Sequence, residues 1–551
     1  MRLSSLSAAS AVALVAAAAA AGAGAAHADP RSTEARLEAL ERSLQAEQEQ
    51  IAQQQQTIAA QQAEIARLRA AVEQTGAQTA QAQSLQSQVQ ALQDNADTQR
   101  LAEAERPRTA YAGGRPVISS NDGRNTIGFR ALVQADAAHY IQDRESPLAT
   151  DFRRGSVGAA PNREINGAKD LSDGAYFRRA RFGIEGTFNR DFGYRLVTEF
   201  AGSGTEGPAR INDAWISYTG FAPFTIQAGA FSPPANMDDG TSPEDTLFME
   251  RASASELSRT LGGADGRLGV MVRFATADWM GALTYTGRTV NDAEVFDSQA
   301  AVVARAAHLL MTSDTYNVHI GASGTYVLSP ADQGSLITAG RYPIRLRERP
   351  EIRVDSTRLI DTGVIDADNA YAVGVEFGAQ YRNLYLQSEY FWFGVGRRSP
   401  TTLSDPTFNG FYVQGSWVIT GEPHRYNMAN GSFQSPRPYQ PFSRAGGIGA
   451  WELALRYSEM DLNDHEGVAG AAPPPDGVRG GDQRIWTIGL NWYANTNIRF
   501  LFDYSHIDVD RLNPAGPGNA TPFGAAPATP PVGAQIGQTA DVVSARSQFS
   551  F

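Results

Sequence analysis

Ala450-Trp-Glu-Leu-Ala-Leu-Arg-Tyr-Ser458 and Trp486-Thr-Ile-Gly-Leu-Asn-Trp-Tyr493 repeat one alternation. In the first, Trp451, Leu453, Leu455 and Tyr457 share a face, with Glu452, Arg456 and Ser458 on the other. In the second, Trp486, Ile488, Leu490 and Trp492 oppose Thr487, Gly489 and Asn491. A period of two belongs to a β-strand, whose successive side chains point to opposite faces. The same dyad sets Ala180, Phe182, Ile184 and Phe188 against Arg179, Arg181, Glu185 and Thr187. Soluble sandwiches also alternate, but their strands are short and turn their apolar faces to a closed core. These run about ten residues, the length that crosses a bilayer when tilted, and carry Tyr457, Trp492, Tyr493 and Tyr504 towards their ends.

Working outward, such segments fall near 126–140, 176–188, 193–201, 210–218, 224–231, 267–274, 279–286, 300–311, 316–327, 370–381, 384–394, 410–420, 450–460, 485–494, 498–508 and 541–551. The expected fold is all-β: a 16-stranded antiparallel transmembrane β-barrel over 125–551, with eighteen strands as the competing count. An even count returns both barrel ends to the periplasmic side. The short connections 189–192, 219–223, 275–278, 312–315, 382–383 and 495–497 then fall there, and the long ones 141–175, 232–266, 328–369, 461–484 and 509–540 face outward. The connection 421–449 breaks this rule, being long yet on the periplasmic side, and is where a strand pair would be missing. The last strand sets Val543, Ala545, Phe549 and Phe551 against Arg546 and Gln548, an aromatic-ended pattern resembling the signal read by outer-membrane assembly machinery.

The chain has 551 residues, no cysteine, a net charge of −12 and a mean hydropathy of −0.33. A disulfide scaffold, a thiolate metal site and a cysteine nucleophile are excluded. The acidic balance argues against nucleic acid as a partner. Lys169 is the single lysine; arginine binds anions bidentately, although codon bias produces the same excess. One long apolar run, from Arg2 to Ala26-His27-Ala28, has the order of a signal peptide over 1–28, with an anchor helix as the alternative. The expected location is a Gram-negative type outer membrane, with outer-membrane lipid as a partner. His139, His308, His319, His424, His465 and His506 are scattered, so no enzymatic constellation, metal site or cofactor is expected.

Residues 31–106 are rich in Ala, Gln and Glu and read as a periplasmic helical segment. Leu37, Leu44, Ile51, Ile58, Ile65 and Val72 recur every seventh residue, the seam of a coiled coil, but Glu47, Gln54 and Gln61 weaken its companion positions. An assembly held together elsewhere, a contact with the cell wall, or a loose tether would each use such a segment. A linker over 107–124 joins it to the barrel.

The barrel segments resemble the phosphate-selective porins O and P. Tyr176-Phe-Arg-Arg-Ala-Arg-Phe-Gly-Ile-Glu-Gly is similar to the family's second-strand motif and Asn212-Asp-Ala-Trp-Ile-Ser-Tyr to its fourth. Gly229-Ala-Phe and Phe248-Met-Glu-Arg251 resemble the flanks of its third loop, and Trp417-Val-Ile-Thr-Gly-Glu422 and the two opening segments continue the match. The resemblance implies a trimeric outer-membrane channel whose constriction loop, 232–266, folds inward. It implies a substrate site at Arg178, Arg179, Asp213, Ser242 and Arg251, and small anions such as phosphate or polyphosphate as solutes. The loop departs from the family in lacking lysine and in carrying Asp238, Asp239, Glu244 and Asp245, which favours a general small-solute porin without phosphate specificity.

Alternation supplies its own candidates for the pore lining: Arg130, Arg181, Arg195, Arg267, Arg273, Arg305, Arg456 and Arg499, with Arg546. The acids Asp136, Glu185, Glu199, Glu376, Glu389, Glu452 and Asp503 share those faces. Pairing into wall salt bridges and a transverse field across the pore are both consistent with this pattern.

Overall fold

The computed structural model describes residues 30–74, 79–104, 106–112, 114–142, 171–201, 209–292, 296–334, 341–399, 401–514 and 532–551. The signal peptide expected over 1–28 lies outside them. The chain divides into two compact units after Arg106. The first contains α1 (Pro30–Gln74) and α2 (Thr79–Ala104), as its strong helix formers favour.

The second unit is a barrel. Its strands are β1 (Thr126–Gln142), β2 (Gly174–Phe188), β3 (Phe192–Glu199), β4 (Arg210–Phe221), β5 (Phe224–Phe231), β6 (Arg267–Ala275), β7 (Trp279–Thr289) and β8 (Ala300–Thr312). They continue with β9 (Tyr316–Ser329), β10 (Ile365–Tyr381), β11 (Leu384–Arg397), β12 (Thr407–Val418), β13 (Ala450–Asp464), β14 (Val478–Tyr493), β15 (Ile498–Asp510) and β16 (Gln538–Ser550). Each pairs antiparallel with the next, and β16 closes onto β1 from Ala540↔Gln142 to Ser550↔Leu132. Phe551 completes the seam by exchanging two backbone hydrogen bonds of 3.0 Å with Ala131. The sixteen strands expected from alternation are therefore present, and the eighteen-strand count is not. The residues read as a linker instead contain a hairpin, Arg108–Ala112 with Arg115–Ser119, that extends the sheet beside the start of β1.

Polarity is inverted relative to a soluble protein. Ile216 and Leu283 are 65% and 57% exposed on the outer face, whereas Gln134, Glu452, Asn491 and Arg546 are buried on the inner one. Aromatic pairs line the wall: Phe192–Tyr218, Phe224–Phe274 and Trp451–Trp492 lie near the short turns, and Tyr390–Trp392 and Tyr457–Trp486 lie about midway along their strands.

Among the described residues, three connections fold into the lumen. The constriction loop, 232–266, enters from the loop end and contains α3 (Met237–Gly240) and α4 (Ser253–Gly262). The loop after β9 enters from the same end, setting Ile344, Leu346, Ile352 and Ile360 with Leu257 and Leu261 of α4 against Phe391, Phe393 and Phe408 in an internal apolar core. The connection after β12, out of place by length, enters from the turn end as a small hairpin, Arg425–Asn427 with Ser432–Gln434. Glycines in the wall make room: a Cβ on Gly378 would lie 2.6 Å from the Phe433 ring, and one on Gly489 3.0 Å from Phe248.

Closure leaves no strand edge unpaired in lipid, where each unsatisfied backbone group costs several kcal/mol. Deleting 543–551 is therefore expected to abolish the heat-modifiable barrel on gels. A membrane-inserted, heat-modifiable product would contradict this seam.

Candidate functional site

The constriction loop is held by wall side chains that reach its backbone. Asn236 caps α3 by accepting from the Asp239 N–H at 2.7 Å. Glu389 accepts from the N–H groups of Met237 and Asp238 at 2.8 and 3.1 Å and from the Tyr412 hydroxyl at 2.5 Å. Asp503 accepts from the Met249 N–H at 3.0 Å. Arg499 donates to the carbonyls of Thr246 and Leu247, Arg456 to that of Glu250, and Arg267 to that of Gly263. From the turn end, the Ser435 N–H donates to Asp245 at 3.0 Å and the Ser432 hydroxyl to the Gly240 carbonyl at 2.9 Å. Arg305 donates to the carbonyls of Asn430 and Gly431 and pairs with Glu376.

This corrects part of the pore-lining expectation. Arg267, Arg305, Arg456 and Arg499 face inward, but all four are buried against the inserted segments. Their guanidinium groups satisfy carbonyls that a folded-in loop takes out of water, which is why they meet protein rather than solvent.

Arg130, Arg181, Arg195 and Arg273 do line an open cavity of about 470 Å³ between the constriction loop and the wall β1–β7. Asp213, Ser242 and Arg251 line it too, with Trp215, Asp239, Glu244 and Asp265. Glu185 is shared by Arg130 at 3.1 Å, Arg195 at 2.7 Å and, from the hairpin before β1, Arg115. Arg181 pairs with Glu199 at 2.8 Å and Asp265 at 2.7 Å. Arg251 makes no ion pair among the described residues; it donates to the carbonyls of Asp238 and Thr241 at 3.1 and 2.8 Å. Arg273 has neither a hydrogen bond nor an ion pair among them.

The loop acids are largely paired. Asp239 accepts from Arg259 at 2.5 Å, Glu244 from Arg130 at 3.1 Å, and Asp265 from Arg181 and Arg259. Burial alone would raise the carboxyl of Glu256, but Arg259 and Arg353 hold it at about 2. Glu250, also buried, is held well below the usual range by Arg178, Arg353, Arg179 and Arg546.

Arg178 and Arg179 do not line this cavity. A register shift beside Gln134 pairs Gln134 with Arg179 and Ala135 with Phe177, so Arg178 is the extra residue of a bulge and both arginines point inward. Arg178 binds Glu250, and Arg179 donates to Gln134 at 2.7 Å. The expected convergence of Arg178, Arg179 and Arg251 is replaced by two places: Arg251 with Asp213 and Ser242 at the cavity, and the arginine pair around Glu250. Arg349, Glu351 and Arg353 also belong to this second place and were not singled out from sequence; the arginine-rich run Arg341 to Arg358 was the available signal.

Residues 157–522 match the family model for the phosphate-selective porin O and P. The chain belongs to that family. As a member of this porin family with a barrel fold, it is a protein of the Gram-negative outer membrane. An uncharacterized protein of Caulobacter vibrioides is 26% identical over 366 residues, covering 64% of this chain and 66% of that relative. Porin O of Pseudomonas aeruginosa is 24% identical over 370 residues, covering 62% of this chain and 78% of its own length. Among solved structures, an anion-selective porin from Comamonas acidovorans superposes with a TM-score of 0.42 at 12% identity, covering 78% of this chain and all of that one.

Depressed carboxyls stabilise the folded state above their unfolded values and lose that contribution as pH falls through the folded ones. Glu250 and Glu256 therefore anchor the loop fully at neutral pH, and the anchoring fades below about pH 4. Limited proteolysis within 232–266 should be unchanged between about pH 7 and pH 5 and rise below about pH 4.

Proposed function

We propose that this porin forms a water-filled channel favouring small anions, with weak discrimination for phosphate. The observation that carries the reading is the charge state of the cavity wall. One carboxylate, Glu185, serves three arginines, while Arg251 bonds only to carbonyls and Arg273 stands unpaired among the described residues. Guanidinium charge beside a narrow, partly dehydrated passage acts on ions more strongly than it would in bulk water. Of the loop acids at the cavity, Asp239, Glu244 and Asp265 are engaged by Arg259, Arg130 and Arg181, and Asp245 accepts from the Ser435 N–H.

The loop after β9 adds positive charge. Arg347 and Arg358 make no ion pair among the described residues, and burial, with Arg349 close by, pushes Arg358 down to about 10. That end of the barrel faces the cell exterior in this reading, so arriving anions meet it first. Weak phosphate discrimination follows from Arg178 being engaged by Glu250 and Arg179 by Gln134 rather than open to the cavity.

The assembly proposed is a homotrimer, with the helices in the periplasm. The heptad seam of α1 supports it: Ile51, on that seam, is 54% exposed. With Glu47, Gln54 and Gln61 interrupting the seam, the helix adds stability of about a few kcal/mol at most.

In planar bilayers, Arg273→Ala or Arg195→Ala should lower the chloride-to-potassium permeability ratio by about two- to fivefold, read from the reversal potential in a salt gradient. Cation selectivity in the wild type would overturn the reading. A protein lacking 31–106 should still conduct while its trimer dissociates at lower temperature on gels; a silent but membrane-inserted barrel would place the helices in the channel itself.

A further inference from the structure

Glu250 sits where guanidinium groups from three parts of the chain converge. Arg178 of β2 takes its carboxylate in a fork, Nε to Oε1 at 2.6 Å and Nη2 to Oε2 at 3.0 Å. Arg546 of β16 donates to Oε1 at 2.9 Å, and Arg353 of the loop after β9 places Nε 3.3 Å from Oε2. Two further donors stand close by without a hydrogen-bond partner among the described residues: the buried Tyr176 hydroxyl and Arg179 Nε. Forked and charge-assisted contacts of this kind recognise planar or tetrahedral oxyanions. Glu250 is the only carboxylate paired with Arg178 among the described residues, and Arg179 has none there.

We propose that this cluster is an oxyanion-binding site that the chain occupies with its own Glu250 carboxylate. Glu250 is thereby a specificity-determining residue: it fills with a tethered carboxylate the place a free oxyanion would take. The neighbouring contacts do not depend on its side chain, since Arg456 donates to the Glu250 carbonyl, Met249 N–H to Asp503, and Arg546 to Asp136 in a second fork. Truncation at Glu250 would leave room for acetate, which supplies the lost carboxylate, or for inorganic phosphate. The inference deepens the anion-channel reading, but its first test does not require conduction.

That test uses full-length Glu250→Ala protein in detergent, with the wild type in the same salts as the control for general salt effects. The temperature of barrel unfolding, read as heat-modifiability on gels, should be lowered in Glu250→Ala in chloride alone. It should rise by several degrees in about 10–100 mM acetate or phosphate, with no equal rise in the wild type. Where Glu250→Ala does not fold in chloride alone, the yield of refolded barrel should depend on acetate or phosphate in the same way. Adding Arg178→Met to Glu250→Ala should remove the response. A Glu250→Ala protein with no response to either anion beyond that of the wild type, or a response undiminished by Arg178→Met, would overturn the proposal. In bilayers, phosphate should block chloride current through Glu250→Ala at roughly tenfold lower concentration than in the wild type. Acetate rescue in a protein whose wild type conducts cations would uphold the oxyanion site and overturn the anion-channel reading.

Discussion

Hydrocarbon accepts no unpaired backbone hydrogen bond, and from that constraint the rest of the molecule follows. Sixteen strands close without an edge, Phe551 meeting Ala131 at the seam. Once closed, the wall turns its apolar side chains to lipid and its polar ones inward. Inside, charged groups need partners or water. On the β1–β7 side they pair across an open cavity; on the rest of the circumference they have the inserted segments. Glu389, Asp503, Arg456 and Arg499 satisfy loop backbone, and the loops bring Glu250, Glu351 and Arg353 in return.

The lumen is thus divided by charge as well as by space. One side is a packed interior with its own apolar core around Leu257, Phe391 and Phe393. The other is an open cavity in which Glu185 serves three arginines and Arg273 has no partner among the described residues. The acids of the constriction loop belong to the packing of the loop. Their presence in the sequence signals where the loop is fastened more than what the passage admits.

The strands were legible because lipid on one face and polar groups on the other impose a period of two with few exceptions, as in Trp486 to Tyr493. The exceptions mark what was not legible. Tyr390-Phe-Trp-Phe393 is apolar on both faces because an inserted loop covers its inner one. Arg178 would fall on the lipid face by simple alternation; a one-residue bulge brings it inside, and nothing in the local sequence announces a bulge. Arg305 and Arg499 face inward as expected, yet alternation gives direction and not depth or company, so anchors and pore-lining residues look alike. The connection 421–449 was visible as an anomaly of length. Its course through the lumen depends on contacts with Asp245 and Gly240, almost two hundred residues away in the chain.

Arg546 links two events that could otherwise be separate. On the last strand, it forks onto Asp136 of the first and reaches Met249 and Glu250 of the constriction loop. The strand that seals the cylinder is therefore also the latch of its internal loop. A nascent barrel whose loop is misplaced offers this arginine only half of its partners at the moment of sealing, so sealing and loop placement reinforce each other. One side chain thereby couples the closure of the cylinder to the seating of the loop inside it.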